Sequence, residues 1–284
     1  MSYLTRCIQG LAVSAAVVVA LGSARAQDPP PPSPWSFEAE LSLVSASGNQ
    51  QSVTYGLATK LGYKLTKSEF RVEAGGLSQQ STVRTLSAAG DSASYAIAES
   101  EVTSTTAEAY YVRGRYDYNV SERFFLLVGA DWQRNTFAGI DSRTLVAAGA
   151  GNTWRDDEKL RFKTTYSFTY TFQQDVVENP LTKTDFPGLR AAYEFWTKLT
   201  SSTEFESRLV ADFNLDNTDD IRLNFYNALP ISVSSKIAFK PSLSLQWRNE
   251  PSLTELTLVP GPGTVKVPLE KLDSFASVSL LVKI

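Results

Sequence analysis

Leu160-Arg161-Phe162-Lys163-Thr164-Thr165-Tyr166-Ser167-Phe168-Thr169-Tyr170-Thr171-Phe172 decides the fold class. From Tyr166 onward every even position is aromatic and every odd position carries a hydroxyl. A helix would scatter these two sets around its circumference, whereas an extended chain sends them to opposite faces, so the stretch predicts a strand with one apolar and one polar face. Outward along the chain the same period recurs. Trp35, Phe37, Ala39, Leu41 and Leu43 alternate with Ser36, Glu38, Glu40 and Ser42. Val53, Tyr55, Leu57, Leu61 and Tyr63 alternate with Ser52, Thr54, Lys60 and Lys64, and Ile237, Phe239, Leu243, Leu245 and Trp247 with Lys236, Lys240, Ser242, Ser244, Gln246 and Arg248.

Segments of this kind number about twelve, near residues 35–45, 52–64, 68–79, 106–118, 123–134, 141–154, 159–172, 186–199, 203–214, 220–230, 235–248 and 273–284. Each is about as long as the 9–11 residues with which a tilted strand crosses a bilayer. The connections after even strands are short: Leu65 to Lys67, Asn119 to Glu122, Arg155 to Glu158, Thr200 to Ser202 and Ile231 to Ser234. Those after odd strands include every long one, namely Gln80 to Thr105, Gln173 to Asp185 and Asn249 to Leu272. An even number of strands with short turns on one rim and long loops on the other is the asymmetry of a bacterial outer-membrane barrel. The expected fold is therefore all-β: an antiparallel transmembrane β-barrel of about twelve strands.

A water-soluble sandwich or ligand-binding barrel also alternates apolar with polar residues. Two features favour the membrane. The apolar rows are nearly free of charge, with Glu108 the main exception. Their aromatic residues sit mostly toward strand ends, Trp35, Tyr63, Tyr116, Tyr118 and Phe124 by the short turns and Trp132, Tyr170, Phe172 and Trp247 by the long loops, as interfacial belts do. These residues are the expected membrane-interface aromatics.

The beginning of the sequence reads as an address. Arg6 precedes an apolar run from Leu11 to Leu21, and Ala24-Arg25-Ala26 supplies small residues for cleavage, so residues 1–26 are expected to be a signal peptide and 27–34, rich in proline, an extended spacer before a barrel over 35–284. The run is too short for the roughly 20 residues of a membrane-spanning helix. The expected location is the outer membrane of a Gram-negative bacterium, reached by secretion across the inner membrane. The expected partners are outer-membrane lipid, the barrel-insertion machinery and ions or small solutes, and no cofactor is expected.

Composition removes most alternatives. The 284 residues include no histidine and one cysteine, Cys7, which lies inside the expected signal peptide. Ser-His-Asp and Cys-His nucleophile systems and His-ligated zinc are thereby excluded, and no enzyme activity is expected. With 27 Lys and Arg against 30 Asp and Glu, the net charge of −3 offers no basic stripe to track nucleic-acid phosphates.

The polar rows carry the candidate site. Twelve strands about 4.8 Å apart and tilted by about 40° enclose a backbone cylinder about 24 Å across, which side chains narrow to a slim passage or fill. Parity turns Glu38, Glu40, Lys60 and Glu73 inward from the first three strands. It does the same for Arg113, Arg115, Asp117, Asp131 and Arg143 in the next three, for Arg161, Lys163, Arg190 and Glu194, and for Glu204, Glu206, Arg208, Asp212, Lys240 and Arg248 in the last part. Two readings of these rows stay open: rings of fixed charge that set the selectivity of a narrow pore, or ion pairs that brace a closed structural or surface-interaction barrel. A soluble periplasmic binding protein is the third, weaker reading.

Other constellations have plainer explanations. Glu38 with Glu40, and Glu204 with Glu206, place carboxylates about 7 Å apart on one face, a spacing that inverting glycosidases use but that any alternating strand produces. Asp216, Asp219 and Asp220 read as a solvated turn, lacking the glycine and closing glutamate of a calcium loop. Gly149-Ala150-Gly151 lacks the third glycine of a dinucleotide site and is expected to permit a bend or a close strand approach.

Three passages resemble a known family, the YdiY-like salt-induced outer-membrane proteins, a domain of unknown function. They are Trp35 to Leu43 with Ser47-Gly48-Asn49, the block Phe124 to Gly151 containing Asp131 and Phe137 to Arg143, and the closing stretch from Leu272-Asp273-Ser274-Phe275. The resemblance implies an outer-membrane barrel and brings no catalytic residues with it. In the closing alternation Val278, Leu280, Val282, Ile284 there is no terminal aromatic residue of the kind that outer-membrane strands often end in and the insertion machinery reads.

Overall fold

Polar side chains fill much of the inside of this protein, beside a few buried apolar ones such as Phe125, Leu145 and Leu281, and apolar ones cover its outside. Along residues 165–173 Thr165, Ser167, Thr169, Thr171 and Gln173 are buried, Thr171 to 1%, while Tyr166, Phe168, Tyr170 and Phe172 between them are exposed, Phe168 to 73%. A protein folded for water does the reverse. The computed structural model describes residues 33–46, 50–90, 95–179, 182–258 and 262–283. The expected signal peptide and nearly all of the spacer lie outside the described residues.

The chain begins with β1 (Trp35–Ala46), β2 (Gln50–Lys64), β3 (Ser68–Gly90), β4 (Tyr95–Asn119) and β5 (Phe124–Asn135). A single 3₁₀ turn, Thr136–Ala138, leads to β6 (Ile140–Asp156), β7 (Leu160–Asp175), β8 (Asp185–Lys198), β9 (Glu204–Asn214) and β10 (Ile221–Ala228). The two-residue β11 (Ile231–Ser232), then β12 (Ile237–Arg248), the hairpin β13 (Leu253–Thr257) and β14 (Thr264–Pro268), and β15 (Leu272–Lys283) complete it. Each of β1 to β9 pairs antiparallel with the next; β10 pairs with β12, β12 with β15, and β15 with β1. Among the described residues twelve strands thus close into a barrel, with β11 as a short extension beside β12. Closure leaves no unpaired sheet edge, the one way in which strands satisfy their backbone in hydrocarbon.

Twelve expected strands correspond to the twelve of the barrel, but the connections need correction. Residues 80–105, expected as a long loop, are mostly strand: β3 runs to Gly90 and β4 starts at Tyr95. From Arg84↔Glu101 to Gly90↔Tyr95 these strands pair only with each other, because β2 ends opposite Val83 and β5 opposite Ala109. They form a two-stranded ribbon rising beyond the barrel wall. Its Ser, Thr and Ala residues give no apolar row to read. The loop expected over 249–272 contains the β13–β14 hairpin.

Local chemistry explains the tight turns. Asp157, between β6 and β7, accepts from Arg155 Nε at 2.5 Å and from the amides of Lys159 and Leu160 at 2.9 and 2.8 Å. The arginine first, then the two amides, hold its carboxyl down to about 2. In the β6–β7 pair, a Cβ on Gly149 would fall 2.1 Å from the Tyr166 carbonyl oxygen, so the two strands approach as closely as glycine alone permits.

Candidate functional site

Inward-facing charges meet across the barrel in tiers. Beside the short turns Arg71 of β3 donates from Nη1 to Glu194 Oε2 at 2.9 Å and from Nη2 to Asp117 Oδ2 at 3.1 Å. Arg115 of β4 donates to the same two carboxylates, at 2.6 Å to Asp117 and 2.7 Å to Glu194. Two guanidiniums and two carboxylates form one ring that spans the interior from β3 and β4 to β8. Lys163 stands 3.9 Å from Glu69, which is 3.6 Å from Arg71. The buried ring of Phe125 closes in beneath, 5.6 Å from the Arg115 guanidinium and 6.0 Å from Lys163 Nζ. Gly151 makes room for it, since a Cβ there would lie 2.2 Å from Phe125 Cζ.

The middle tier sits one residue pair higher. Register aligns Glu38, Lys60, Glu73, Arg113 and Asp131 in one row over β1 to β5, so the sign of the charge alternates from strand to strand. Arg208 of β9 reaches Glu73 at 3.3 Å. These strands are six apart in a ring of twelve, so this contact runs straight across the lumen. Arg190 binds Asp212 through Nε and Nη2 at 2.6 and 3.1 Å and Asp131 through Nη1 at 2.5 Å. Lys240 donates to Glu40, stands 3.5 Å from Glu206 and lies over the Tyr226 ring. Toward the short-turn rim Glu204 takes Lys283 at 3.4 Å and the Trp196 indole at 3.2 Å, while Arg161 stacks on the Trp196 ring at 3.9 Å.

Glu40, Glu204 and Glu206 thus each have a cation at hand, and neither carboxylate pair stands as an isolated acid–base couple. Water still reaches the network: the side chains of Glu194 and Arg208 keep 30% and 35% of their exposure.

At the opposite rim Asn135 of β5 donates to Gln246 of β12 across the full width, at 3.4 Å. Above this pair the loop after β12 leans over the mouth. Lys266 donates to the Glu178 carbonyl at 2.7 Å, Asn217 to Glu250 at 2.6 Å, and Asn249 to the Asp219 carbonyl at 3.0 Å. Ser252 and Leu269, joined by a backbone bond, press on Gly139 of the β5–β6 turn, where a Cβ would lie 2.6 Å from Ser252 Cβ. Gly139 also has φ of 68°, a second reason for glycine there. Because β5 and β6 lie opposite β12 and β15, this loop crosses the opening.

Among the aromatics, Trp35 and Tyr63 stack outside at 4.3 Å, with Tyr116, Tyr118 and Phe124 exposed on the same rim. At the other rim Trp132 donates to Ser142, Tyr170 and Phe172 lie 5.1 Å apart, and Trp247 stands in register with Leu223 and Leu272 on the outer face.

Several participants escaped the sequence reading, Glu69, Phe125, Tyr226 and Lys283 among them, and three are instructive. Arg71 shares the parity of Glu73 two residues on and was legible by that rule. Trp196 points inward, against the expectation that aromatics face out. Asp220 is a correction: expected in a solvated turn, it is buried and bound by Arg222 and Asn214. A carboxylate at the base of a loop, two residues before an inward arginine, is drawn into the barrel mouth by that charge.

Comparison with known proteins adds the family. No curated protein matches the chain in sequence. Among solved structures, an outer-membrane channel from Pseudomonas putida F1 is similar at 13% identity, covering 94% of this chain and 100% of that one, with a TM-score of 0.42. The translocator domain of autotransporter NalP from Neisseria meningitidis is similar at 10% identity, covering 89% and 88%, with a TM-score of 0.42. A KdgM porin is similar at 7% identity, covering 87% and 98%, with a TM-score of 0.39. These values are too low to carry a statement about function, and the fold rests on the strand register itself. A family described as "Protein of unknown function, DUF481" matches over residues 39–257, and the chain belongs to that family.

Proposed function

We propose that the protein is an outer-membrane barrel whose charged, water-reached lumen is a narrow conduit for ions or small solutes, occluded until its ion pairs part. The apolar exterior is the ground for the membrane: Leu41, Leu57, Val128, Phe168 and Val278 form outward rows that water would penalise and acyl chains would accept. Its partners are then outer-membrane lipid and the machinery that inserts barrels, its location the outer membrane of a Gram-negative bacterium after export by a cleaved signal peptide, and its role non-catalytic. The likeness to salt-induced outer-membrane proteins fits a lumen held by ion pairs.

The observation that carries the conduit reading is the interior of part-buried, opposite charges. Stability alone does not call for them, because buried ion pairs contribute little beyond apolar packing of equal volume. A second reading, a closed structural barrel, has its own support in the Glu73–Arg208 contact across the lumen and in the loop across the mouth. Planar-bilayer recording of the chain refolded from Gln27 separates them. We expect small conductances in the native chain and a severalfold increase in Arg208→Ala and Glu194→Ala. Silence from all three, with each shown to be folded by its heat-modifiable migration in gels, would favour the structural barrel.

A further inference from the structure

The outer mouth holds an arginine cluster that the ion-pair network leaves incomplete. Arg143 of β6, Arg222 of β10 and Arg248 of β12 line one cavity of about 40 Å³, enough for a few water-sized groups. Arg222 is committed, binding Asp220 through two nitrogens. The other two are not. Arg143 gives Nε to the neutral amide of Gln173 at 2.8 Å, and its buried Nη2 has no hydrogen-bond partner. Arg248 gives Nη1 to the Ser252 hydroxyl at 2.8 Å, while its buried Nε, 3.7 Å from Asp220, has none.

Two guanidiniums on different strands, each with an unanswered N–H, are an unusual expense in a folded interior. Register makes it sharper, because Arg222 and Arg248 stand directly opposite each other, a like-charge pair that costs stability. Arg71 and Arg115, likewise opposite each other in register, share Asp117 and Glu194, although Arg115 Nη2 is also left without a hydrogen-bond partner. Here Asp220 hydrogen-bonds Arg222 and meets Arg248 only at 3.7 Å, Asp175 is turned to Gln173 Nε2 at 2.6 Å, and the remaining charges on the cavity wall, Glu270, Lys271 and Asp273, are two acidic against one basic.

We infer that this cavity is a binding site for a small oxyanion, such as phosphate, sulfate or the carboxylate of a solute, held by Arg143 and Arg248. The planar N–H fork of arginine matches the oxygens of such groups. Chloride would answer the charge but not the geometry. The loop over the mouth contributes through Ser252, which fixes the Arg248 guanidinium. The site stands whether or not the lumen conducts.

The test uses the full barrel refolded in detergent, titrated calorimetrically with inorganic phosphate, sulfate or chloride at matched ionic strength. We expect saturable binding of one phosphate or sulfate per chain and at least tenfold weaker chloride binding. Arg143→Gln should weaken phosphate at least tenfold, and Arg143→Lys, which keeps the charge but loses the fork, should do so nearly as much. Arg155→Gln, in a turn at the far rim, should leave binding unchanged. Absence of saturable binding by the folded native chain would overturn the site. So would equal affinity in Arg143→Lys, or equal affinity for chloride, either of which would reduce the cluster to general charge. If Arg143→Gln fails to show heat-modifiable migration, Arg248→Gln takes its place with the same expectation.

Discussion

Phe168 stands near the middle of β7, the most outward of its row at 73% exposed, and the Thr169 hydroxyl next to it is buried. One step along the chain therefore separates two solvents. A charge at mid-span on the lipid side costs about 2–4 kcal/mol. Phe168→Arg should lose that much stability in denaturant titrations of vesicle-inserted protein, and Phe168→Leu should lose little. Near-equal midpoints for the two variants would mean that this face does not meet lipid. The assignment of this face needed only the sequence, since period two fixes which side chains share a face whatever the strand's neighbours are. The inward face is less permissive than parity suggests: Thr165 is 6% exposed, so the lumen along β7 is packed, and a long side chain there would have to displace its neighbours.

At the scale of elements, alternation located ten of the twelve barrel strands to within a few residues and cut β3 and β4 short by eleven residues each, and its failures are instructive. The outer ends of β3 and β4 escape because their Ser-, Thr- and Ala-rich sequence carries no regular alternation of apolar with polar residues. Gly149 was legible as a site of bending or close approach, but not how close, which depends on the β6–β7 register. Two glycines make the difference measurable. A Cβ at Gly149 would meet the backbone at Tyr166 and Ser167, within 2.7 Å, whereas one at Gly114 of β4 would meet nothing within 4 Å. Gly149→Ala should destabilise the barrel by about 1–3 kcal/mol, and Gly114→Ala by less than about 0.5 kcal/mol. Unfolding midpoints of the two variants check this directly, and a reversed order would contradict the pairing of β6 with β7.

At the scale of the whole molecule, what matters is which strands face each other through the lumen, and no local pattern contains that. Glu38, Lys60, Glu73, Arg113 and Asp131 could be assigned inward one by one, yet their alternation as a row follows from four successive registers. The Glu73–Arg208 contact needs in addition the closure of the ring and its shear, which bring β3 and β9 opposite at one height. The same dependence makes that pair the sharpest test of the closed barrel. If the two side chains meet only because the ring closes as described, Glu73→Gln and Arg208→Gln should not add. A double-mutant cycle on unfolding in lipid should give a coupling of about 0.5–3 kcal/mol, well above the few tenths found for sites that do not touch. The reversed pair, Glu73→Arg with Arg208→Glu, should recover part of what either reversal loses alone, though not all, because Arg113 and Lys60 flank position 73 in register and would then face a like charge. Additive effects would place β3 and β9 apart, and the ring, not the pattern along the strands, would be what needs revision.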